Sequence, residues 1–327
     1  MKCFRHKAQI VQPVMGQLPS SRTFLEFPFL NCSVDYAGPI LIADRKGRGC
    51  RLIKSYLCIF VCLSVKAVHL ELVMDLSKDG YLAAVSRFVS RRGKPQSFLS
   101  DNGTCFVGAC NELQLFLENE NANLTSGMAQ EGIKFIFSPA YSPHFNGLAE
   151  AAVRSTKQLL RKSLQLTHLV YEEMVTCLTS IEAILNSRPL TPLSSDPSDF
   201  TALTPSHFLI GRPLTTVPHP PVTDINITRL ERFRRVQYLQ QHFWQRFATE
   251  YVCLLQQKTK WQTSSAALKE GDLVLVKDKA QPPLLWLLGR IVQVFPGADG
   301  VARVVDIKTK KGIIRRAYNN ICPLPLN

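Results

Sequence analysis

Residues 32–73, CSVDYAGPILIADRKGRGCRLIKSYLCIFVCLSVKAVHLELV, decide the fold because they place three strand-like runs in close succession. Residues 32–42 predict a strand that ends in a Gly-Pro turn, and residues 55–63 predict a buried strand of almost wholly apolar side chains. Residues 67–73 alternate in polarity, which is typical of a third strand. Three consecutive strands of this kind favour an antiparallel meander.

Helical and strand-like stretches alternate downstream of these runs, which predicts an α/β fold. Residues 78–92 carry apolar side chains at helical spacing, and Gly93 ends that helix. Arg91 and Arg92 fit a phosphate contact and a helix C-terminus equally well. The further predicted elements are a short strand at 97–103 that runs into a turn, a helix at 109–117, a strand at 134–137, and helices at 148–166 and 171–186.

The chain is strongly basic. Its 327 residues hold 39 Lys and Arg against 25 Asp and Glu, a formal net charge of +14, which indicates a polyanionic partner. Residues 229–327 hold 17 Lys and Arg against 7 Asp and Glu, so we expect the last third to be a separate basic module. A basic surface that serves only solubility is the alternative.

Composition excludes several classes of protein. A hydrophobic content of 46% excludes global disorder. The longest wholly apolar run, Tyr56–Leu63, is far shorter than the roughly 20 residues that span a bilayer, so no membrane partner is expected. The first residues contain no apolar segment of the secretory type, and we expect an intracellular location. The ten cysteines are too dilute for a disulfide scaffold and are interpreted as reduced thiols.

The chain changes character after the α/β region. Residues 188–221 contain eight of the 20 prolines and no sustained periodicity, which predicts an extended linker. Residues 229–257 have helical character, and from Gly271 onward short alternating strands predict a small β-barrel. We expect Trp286 to lie in a core rather than to stack on a nucleic-acid base.

Three acidic residues are candidate metal ligands. Asp35 lies within an apolar strand, Asp101 ends a second strand beside the turn former Asn102-Gly103, and Glu150 lies in the first turn of the predicted long helix. Hard Mg²⁺ prefers oxygen ligands, and pairs of such ions clamp phosphate oxygens during in-line displacement. These positions alone are a weak signal, because any chain of this size has acids near strand ends.

The long helix adds a second observation. At 100° per residue, Glu150, Arg154, Lys157 and Arg161 fall within one stripe, opposite a face of Leu and Ala. One interpretation is i, i+4 pairing on a solvated surface. A ridge that holds a metal at its acidic end and follows a phosphate backbone with its cations explains the run of three cations better.

Three blocks carry a resemblance to a known family: VDYAGP at 34–39, SDNGT at 100–104 and SPHFNGLAEAAVRSTKQLL at 142–160. They resemble the three blocks of a retroelement integrase core, which has a ribonuclease-H-like fold and an Asp, Asp, Glu triad. Residues 69–113 are similar to the BEL/Pao branch of long-terminal-repeat retrotransposons. So is the tail, with GDLVLVKD, LLWLLGRIVQVFPG and ARVVDIKT. The likeness covers roughly residues 25–325.

The resemblance implies a fold class and a division of the chain. The expected fold is a ribonuclease-H-like mixed sheet with flanking helices, followed by a Pro-rich strap, a helix and a small SH3-like β-barrel. The expected segments are a remnant of a zinc module at 1–24, an integrase catalytic core at 25–187, a Pro-rich linker at 188–228, and a basic helix and barrel that bind DNA at 229–327.

The resemblance also implies a reaction. We expect a Mg²⁺-dependent polynucleotidyl transferase and endonuclease that trims 3′ ends and joins them to target DNA. Two Mg²⁺ or Mn²⁺ ions would be held by Asp35, Asp101 and Glu150. The expected partners are double-stranded DNA, as element ends and as target, and further copies of the chain, in the nucleus.

Residues expected to contact DNA come partly from the resemblance and partly from the charge of the tail. The resemblance places Asn102, His144 and Asn146 near the DNA end. Charge runs on strands are usually solvated faces, which is the alternative for the cations of the tail. The expected backbone contacts are Arg154, Lys157, Arg161, Lys308, Lys310, Arg315 and Arg316.

Two features depart from the family pattern. The interval from Asp101 to Glu150 is 49 positions, longer than is usual in the family, and surface loops tolerate such insertions. The family's His-His-Cys-Cys zinc module is represented only by Cys3, with His6 nearby, so no zinc is expected from residues 1–24. A domesticated or decayed nucleic-acid-binding scaffold without the reaction is therefore a second hypothesis. A Mg²⁺ phosphohydrolase ranks last, because it gives no reason for a basic tail.

Overall fold

The computed structural model describes residues 20–24, 26–121, 132–138, 168–217, 219–227, 230–256, 268–278, 281–297 and 302–325. The helices are α1 (Ser20–Thr23), α2 (Lys78–Arg92), α3 (Thr104–Asn121), α4 (Tyr171–Asn186), α5 (Pro205–Ile210) and α6 (Arg232–Leu255). The strands are β1 (Asn31–Ala43), β2 (Leu52–Cys62), β3 (Val68–Val73), β4 (Ser97–Ser100), β5 (Lys134–Phe137), β6 (Thr191–Pro192), β7 (Ala202–Leu203), β8 (Leu273–Val276), β9 (Leu288–Pro296), β10 (Ala302–Thr309), β11 (Gly312–Ala317) and β12 (Ile321–Pro323).

The first five strands form one mixed sheet in the order β3-β2-β1-β4-β5. β1, β2 and β3 pair antiparallel, which confirms the meander. β4 runs parallel to both β1 and β5, and α2 and α3 provide the connections that lead into β4 and β5. This strand order and this mixture of directions are those of a ribonuclease-H-like sheet, so the expected α/β fold class is confirmed.

β1 does not end at its Gly-Pro pair, contrary to the expectation. The strand continues to Ala43, and its register with β2 shifts between Ala37 and Ile40. Gly38 has a φ of +148°, and a Cβ at this position would meet Cδ1 of Tyr56 at 2.8 Å. Glycine is therefore required where the backbone of β1 bulges towards β2.

Both faces of the sheet are covered, which explains the continuous apolar run of β2. Leu57 and Ile59 point to the face on which α4 packs, whereas Cys58 and Phe60 point to the face covered by α2 and α3. Neighbouring side chains of a strand alternate between faces, so a strand buried on both sides must be apolar throughout.

Helix α6 joins the sheet to the C-terminal part of the chain. Its Leu239 and Phe243 are fully buried in the same hydrophobic cluster that holds Ile181 of α4 and Leu275 of β8. The basic last third of the chain therefore shares a core with the α/β unit. The four segment boundaries expected from the sequence stay predictions.

The last five strands form a second, antiparallel sheet in the order β11-β10-β9-β8-β12. A 3₁₀ turn at Tyr318–Asn320 returns the chain so that β12 pairs with β8. Among the described strands no pairing of β11 with β12 closes the sheet, so the expected barrel is found as an open sheet. Trp286 packs on Trp244 with ring centroids 4.7 Å apart, which confirms its place in a core.

The Pro-rich strap, residues 188–228, is bound to the units on both sides of it. Tyr251 of α6 donates a hydrogen bond from its hydroxyl to the Pro189 carbonyl at 2.5 Å. Arg290 of β9 donates to the carbonyls of Asp199 at 3.1 Å and Ser194 at 3.0 Å. The composition predicted an extended segment, and these contacts fix its path.

All nine cysteines in the described ranges are free, and most of them are buried. In those same ranges, the longest helices are too polar to form a bilayer span.

Candidate active site and nucleic-acid interface

β1 delivers Asp35 to the centre of the mixed sheet. The residue is half-buried and lies opposite Ile59 of β2, so its side chain is on the α4 face. Its Oδ1 accepts a hydrogen bond from the backbone N–H of Tyr36 at 2.7 Å. The Tyr36 ring takes the opposite face and stacks on Phe106 at 5.3 Å, which fixes the backbone beside the acid.

Asp101 directly follows β4 and is exposed. Its Oδ1 accepts a hydrogen bond from the Gly103 N–H at 3.0 Å, which closes the turn that leads into α3. The Asn102 side-chain amide donates to the Ser138 carbonyl at 3.1 Å and so ties the end of β4 to the end of β5. A Cβ at Gly103 would lie 3.0 Å from Oδ1 of Asp101, so this tight turn favours glycine.

The strand register brings the two aspartates together. Ser33 of β1 pairs with Leu99 of the parallel strand β4. Asp35 lies two residues beyond Ser33 within β1, and Asp101 lies two residues beyond Leu99, just after β4 ends at Ser100, so the register brings both acids to the same end of the sheet.

Two of the three expected metal ligands lie among the described residues, and their chemistry fits a hard divalent cation. Two carboxylates are the oxygen ligands that Mg²⁺ or Mn²⁺ prefers. Within the described ranges, no group of three or more His, Cys, Asp and Glu side chains could hold a metal ion. The third expected ligand and most of the expected contacts near the DNA end lie outside the described residues: Glu150, His144, Asn146, Arg154, Lys157 and Arg161.

The four expected DNA contacts of the second sheet do not share one face. Lys308, Lys310 and Arg316 differ in exposure: the two lysines are exposed, whereas Arg316 pairs with the fully buried Val305 and is half-buried. Arg315 is opposite Asp306, on the outer face.

Arg315 is held by other groups of the sheet. It donates two hydrogen bonds to the Asp306 carboxylate, at 2.7 and 2.9 Å, and its guanidinium lies 4.3 Å from the centre of the Phe295 ring. These hydrogen bonds and the adjacent cation lower the pKa of Asp306. The lysines are therefore better placed than either arginine for a phosphate contact.

A buried polar cluster between β3, α2 and α4 answers the question left open for Arg91 and Arg92. Arg91 donates to Glu71 at 3.0 Å, and Arg92 binds Glu182. His69 is 1% exposed and lies between both carboxylates, 3.0 Å from Glu71 and 3.3 Å from Glu182. Both arginines thus have carboxylate partners within the protein, which favours a structural role over a phosphate contact.

The electrostatics of this cluster follow from its hydrogen bonds. Burial alone would raise the pKa of Glu71, but hydrogen bonds from His69 and Arg87 outweigh it and lower the pKa. Burial alone would lower the pKa of His69, but hydrogen bonds to Glu182 and Glu71 raise it. The sequence reading missed this cluster. Its signal was a His and a Glu two residues apart in an otherwise apolar strand.

A cavity of about 430 Å³ lies between the strap and the second sheet. Leu193, Phe200 and Trp286 line it, together with Lys310. Neither Asp35 nor Asp101 lines it. The two acids therefore do not belong to this cavity.

Comparison with known proteins gives limited similarity. Residues 231–324 match a family of unknown function (DUF5641). No curated protein matches the chain. The chain is similar in structure to a cryo-EM structure of the simian T-cell lymphotropic virus intasome in complex with PP2A regulatory subunit B56 gamma. That match has 12% identity and a TM-score of 0.38, and covers 96% of this chain and 85% of that one. A superposition this loose identifies neither the fold nor the site.

Proposed function

We propose that the chain is an integrase-type polynucleotidyl transferase that acts on double-stranded DNA with Mg²⁺ or Mn²⁺. The observation that carries the proposal is the register of the β3-β2-β1-β4-β5 sheet, which brings Asp35 of β1 and Asp101, just after the parallel strand β4, to the same end of the sheet. The net charge of +14 supports a polyanionic substrate. The resemblance of the sequence blocks supports a BEL/Pao-type element, a homo-oligomer and a nuclear location.

The chain's own residues have definite tasks in this proposal. Asp35 and Asp101 would hold the cation, with Glu150 as the third ligand. When bound there, Mg²⁺ activates a water or 3′-hydroxyl and stabilises charge on the phosphate. The Tyr36 and Gly103 N–H groups orient the two carboxylates before a cation arrives. Asn102 keeps the Asp101 turn against β5 through the Ser138 carbonyl.

A strand-transfer assay tests the proposal. A labelled duplex that carries candidate terminal sequences is incubated in Mg²⁺ or Mn²⁺ with the native chain, with Asp35→Asn, and with Asp79→Asn. The Asp35 change keeps the size of the side chain but removes the ligand charge, so we expect activity to fall by more than about 100-fold. Asp79 lies in the first turn of α2 and is exposed, so its substitution is the matched control.

The outcomes separate two functions. Activity that survives in Asp35→Asn would contradict the metal-carboxylate reaction. Absence of strand transfer in all three proteins, with salt-dependent DNA binding intact, would favour a nucleic-acid-binding scaffold that does not carry out the reaction. Glu150→Gln tests the third ligand in the same assay, and full activity in that variant would remove Glu150 from the site.

A further inference from the structure

The β1–β2 hairpin ends in the segment DRKGRGCRLIK at 44–54, which holds five cations and one acid. We name it the basic hairpin. The residues from 44 to 49 are all exposed, as are Arg51 and Lys54. The sequence reading did not single out this segment, because its charge lies outside the strongly basic last third.

The cations of the basic hairpin differ from most arginines of the mixed sheet. Within the described residues, Lys46, Arg48, Arg51 and Lys54 form no ion pair, and Arg45 makes only a long hydrogen bond, 3.4 Å, to a backbone carbonyl of the same turn. By contrast, the three arginines of α2 all bind carboxylates, of the buried Glu71 or the partly buried Glu182. Lys46 contributes to the lowered pKa of Glu173, but Arg232 and not Lys46 forms the ion pair with that carboxylate.

The basic hairpin projects beyond its neighbours in the sheet. Pairing of β1 with β4 ends at Ser33, and pairing of β2 with β3 ends at Tyr56. β1 and β2 nevertheless continue to pair with each other as far as Ala43 and Leu52. A single bridge to Val170 supports this extension on one side. One side of this extension, with Ile40, Ile42 and Ala43, is buried against the core, so the exposed basic turn stands at the end of a supported two-stranded ribbon.

The ribbon leaves the sheet at the edge where the two acids lie. β1 and β4 are parallel, so the end of β1 points the same way as the end of β4 at Asp101. Asp44 follows Asp35 by nine positions, an extended path of at most about 30 Å at about 3.4 Å per residue. B-DNA rises about 3.4 Å per base pair, so a duplex that ends at the acids reaches the basic hairpin within about nine base pairs.

We propose that the basic hairpin binds the sugar-phosphate backbone of duplex DNA within about nine base pairs of the acid pair. The inference rests on the proposed function for the identity of the partner. It adds a contact surface that neither the family match nor the sequence blocks include. Unpaired exposed cations on a rigid ribbon suit a regular row of phosphates, because binding releases the counterions of the DNA and breaks no ion pair within the protein.

The test compares two double variants of equal charge. Lys46→Gln/Arg48→Gln removes two cations of the basic hairpin. Lys134→Gln/Arg212→Gln removes two exposed cations elsewhere, and Lys134 lies at the opposite end of the sheet, level with Ser97. Affinity for a labelled duplex of about 20 base pairs is measured by fluorescence anisotropy in EDTA over a range of KCl concentrations.

We expect the slope of log K against log[KCl] to become shallower by about two in the hairpin variant, since each phosphate contact contributes about 0.9. The control should change by less than half as much. An equal change in both variants would overturn the inference, as would native protein whose DNA binding is independent of salt. Loss of binding to phosphatidylserine vesicles, with duplex binding unchanged, would also overturn it and would identify a membrane surface instead.

Because the assay contains EDTA, a failure of the hairpin contact can be distinguished from a failure of the proposed function. Binding is measured without a divalent cation, so it does not depend on the reaction. Activity in Asp35→Asn would contradict the reaction and leave the hairpin contact intact, whereas an unchanged slope would contradict only the contact. Melting curves of both double variants should match the native protein, because all four side chains are exposed.

Discussion

Replacement of Phe243 by Ala should destabilise both halves of the chain at once. Phe243 is fully buried in α6 and stacks on Phe247 with ring centroids 5.8 Å apart. Truncation of a buried Phe costs about 3–5 kcal/mol, because burial is lost and a cavity remains. The substitution also removes the ring contact with Phe247, so we expect a cost in the upper part of that range, about 4 kcal/mol. Phe233, on the same helix but 64% exposed, is the control and should cost less than about 1 kcal/mol when changed to Ala.

Urea unfolding followed by two signals measures this effect. Trp244 and Trp286 report on α6 and the second sheet, whereas far-ultraviolet circular dichroism reports on the whole chain. The hydrophobic cluster runs without a break from α4 through α6 to β8, so both signals should shift together in Phe243→Ala. A fluorescence transition that moves while the main dichroism transition stays in place would refute the shared core. So would a cost below about 1 kcal/mol.

Three further predictions concern the buried cluster and the strap. Glu71→Gln leaves two arginines without their carboxylate at a site that is 5% exposed, and should cost about 3 kcal/mol in urea unfolding; a cost below about 1 kcal/mol would contradict this. The raised pKa of His69 means that its contribution to stability is complete below about pH 6.5 and is lost as pH rises through the folded-state value. The stability difference between native protein and His69→Gln should therefore shrink above that pH, and a constant difference would be contrary evidence. Arg290→Met removes the donors to the Ser194 and Asp199 carbonyls and should cost about 2 kcal/mol, with faster limited proteolysis of the strap; native-like cleavage would argue against this fixation.

Local signals were sufficient for most elements of the fold. α2 spans the expected residues 78–92, because the Ser77 side chain accepts the Gly80 N–H at its start and Gly93, with a φ of +89°, ends it. α3 was expected at 109–117 but begins at Thr104. Its first turn is stabilised by Phe106, which is buried against Tyr36, and no local pattern contains such a contact.

The candidate site was predictable only in part. Asp35 and Asp101 could be selected because each lies where an acid is costly or exposed at a strand end, but their proximity needed the register of β1 with β4. The role of Arg92 could not be read from charge, because its partner Glu182 lies 90 positions away. The contacts of the strap were equally unpredictable from the sequence. Its proline content predicts an extended path, but it does not indicate which carbonyls Arg290 binds.

The fixed strap has a consequence for assembly. Tyr251 binds it from α6 and Arg290 binds it from β9, while Trp286 donates to Ser187, the residue that precedes the strap. Release of the second sheet from the strap would break the hydrogen bonds of Arg290, so exchange of this sheet between two copies of the chain would have to form the same bonds again between the copies.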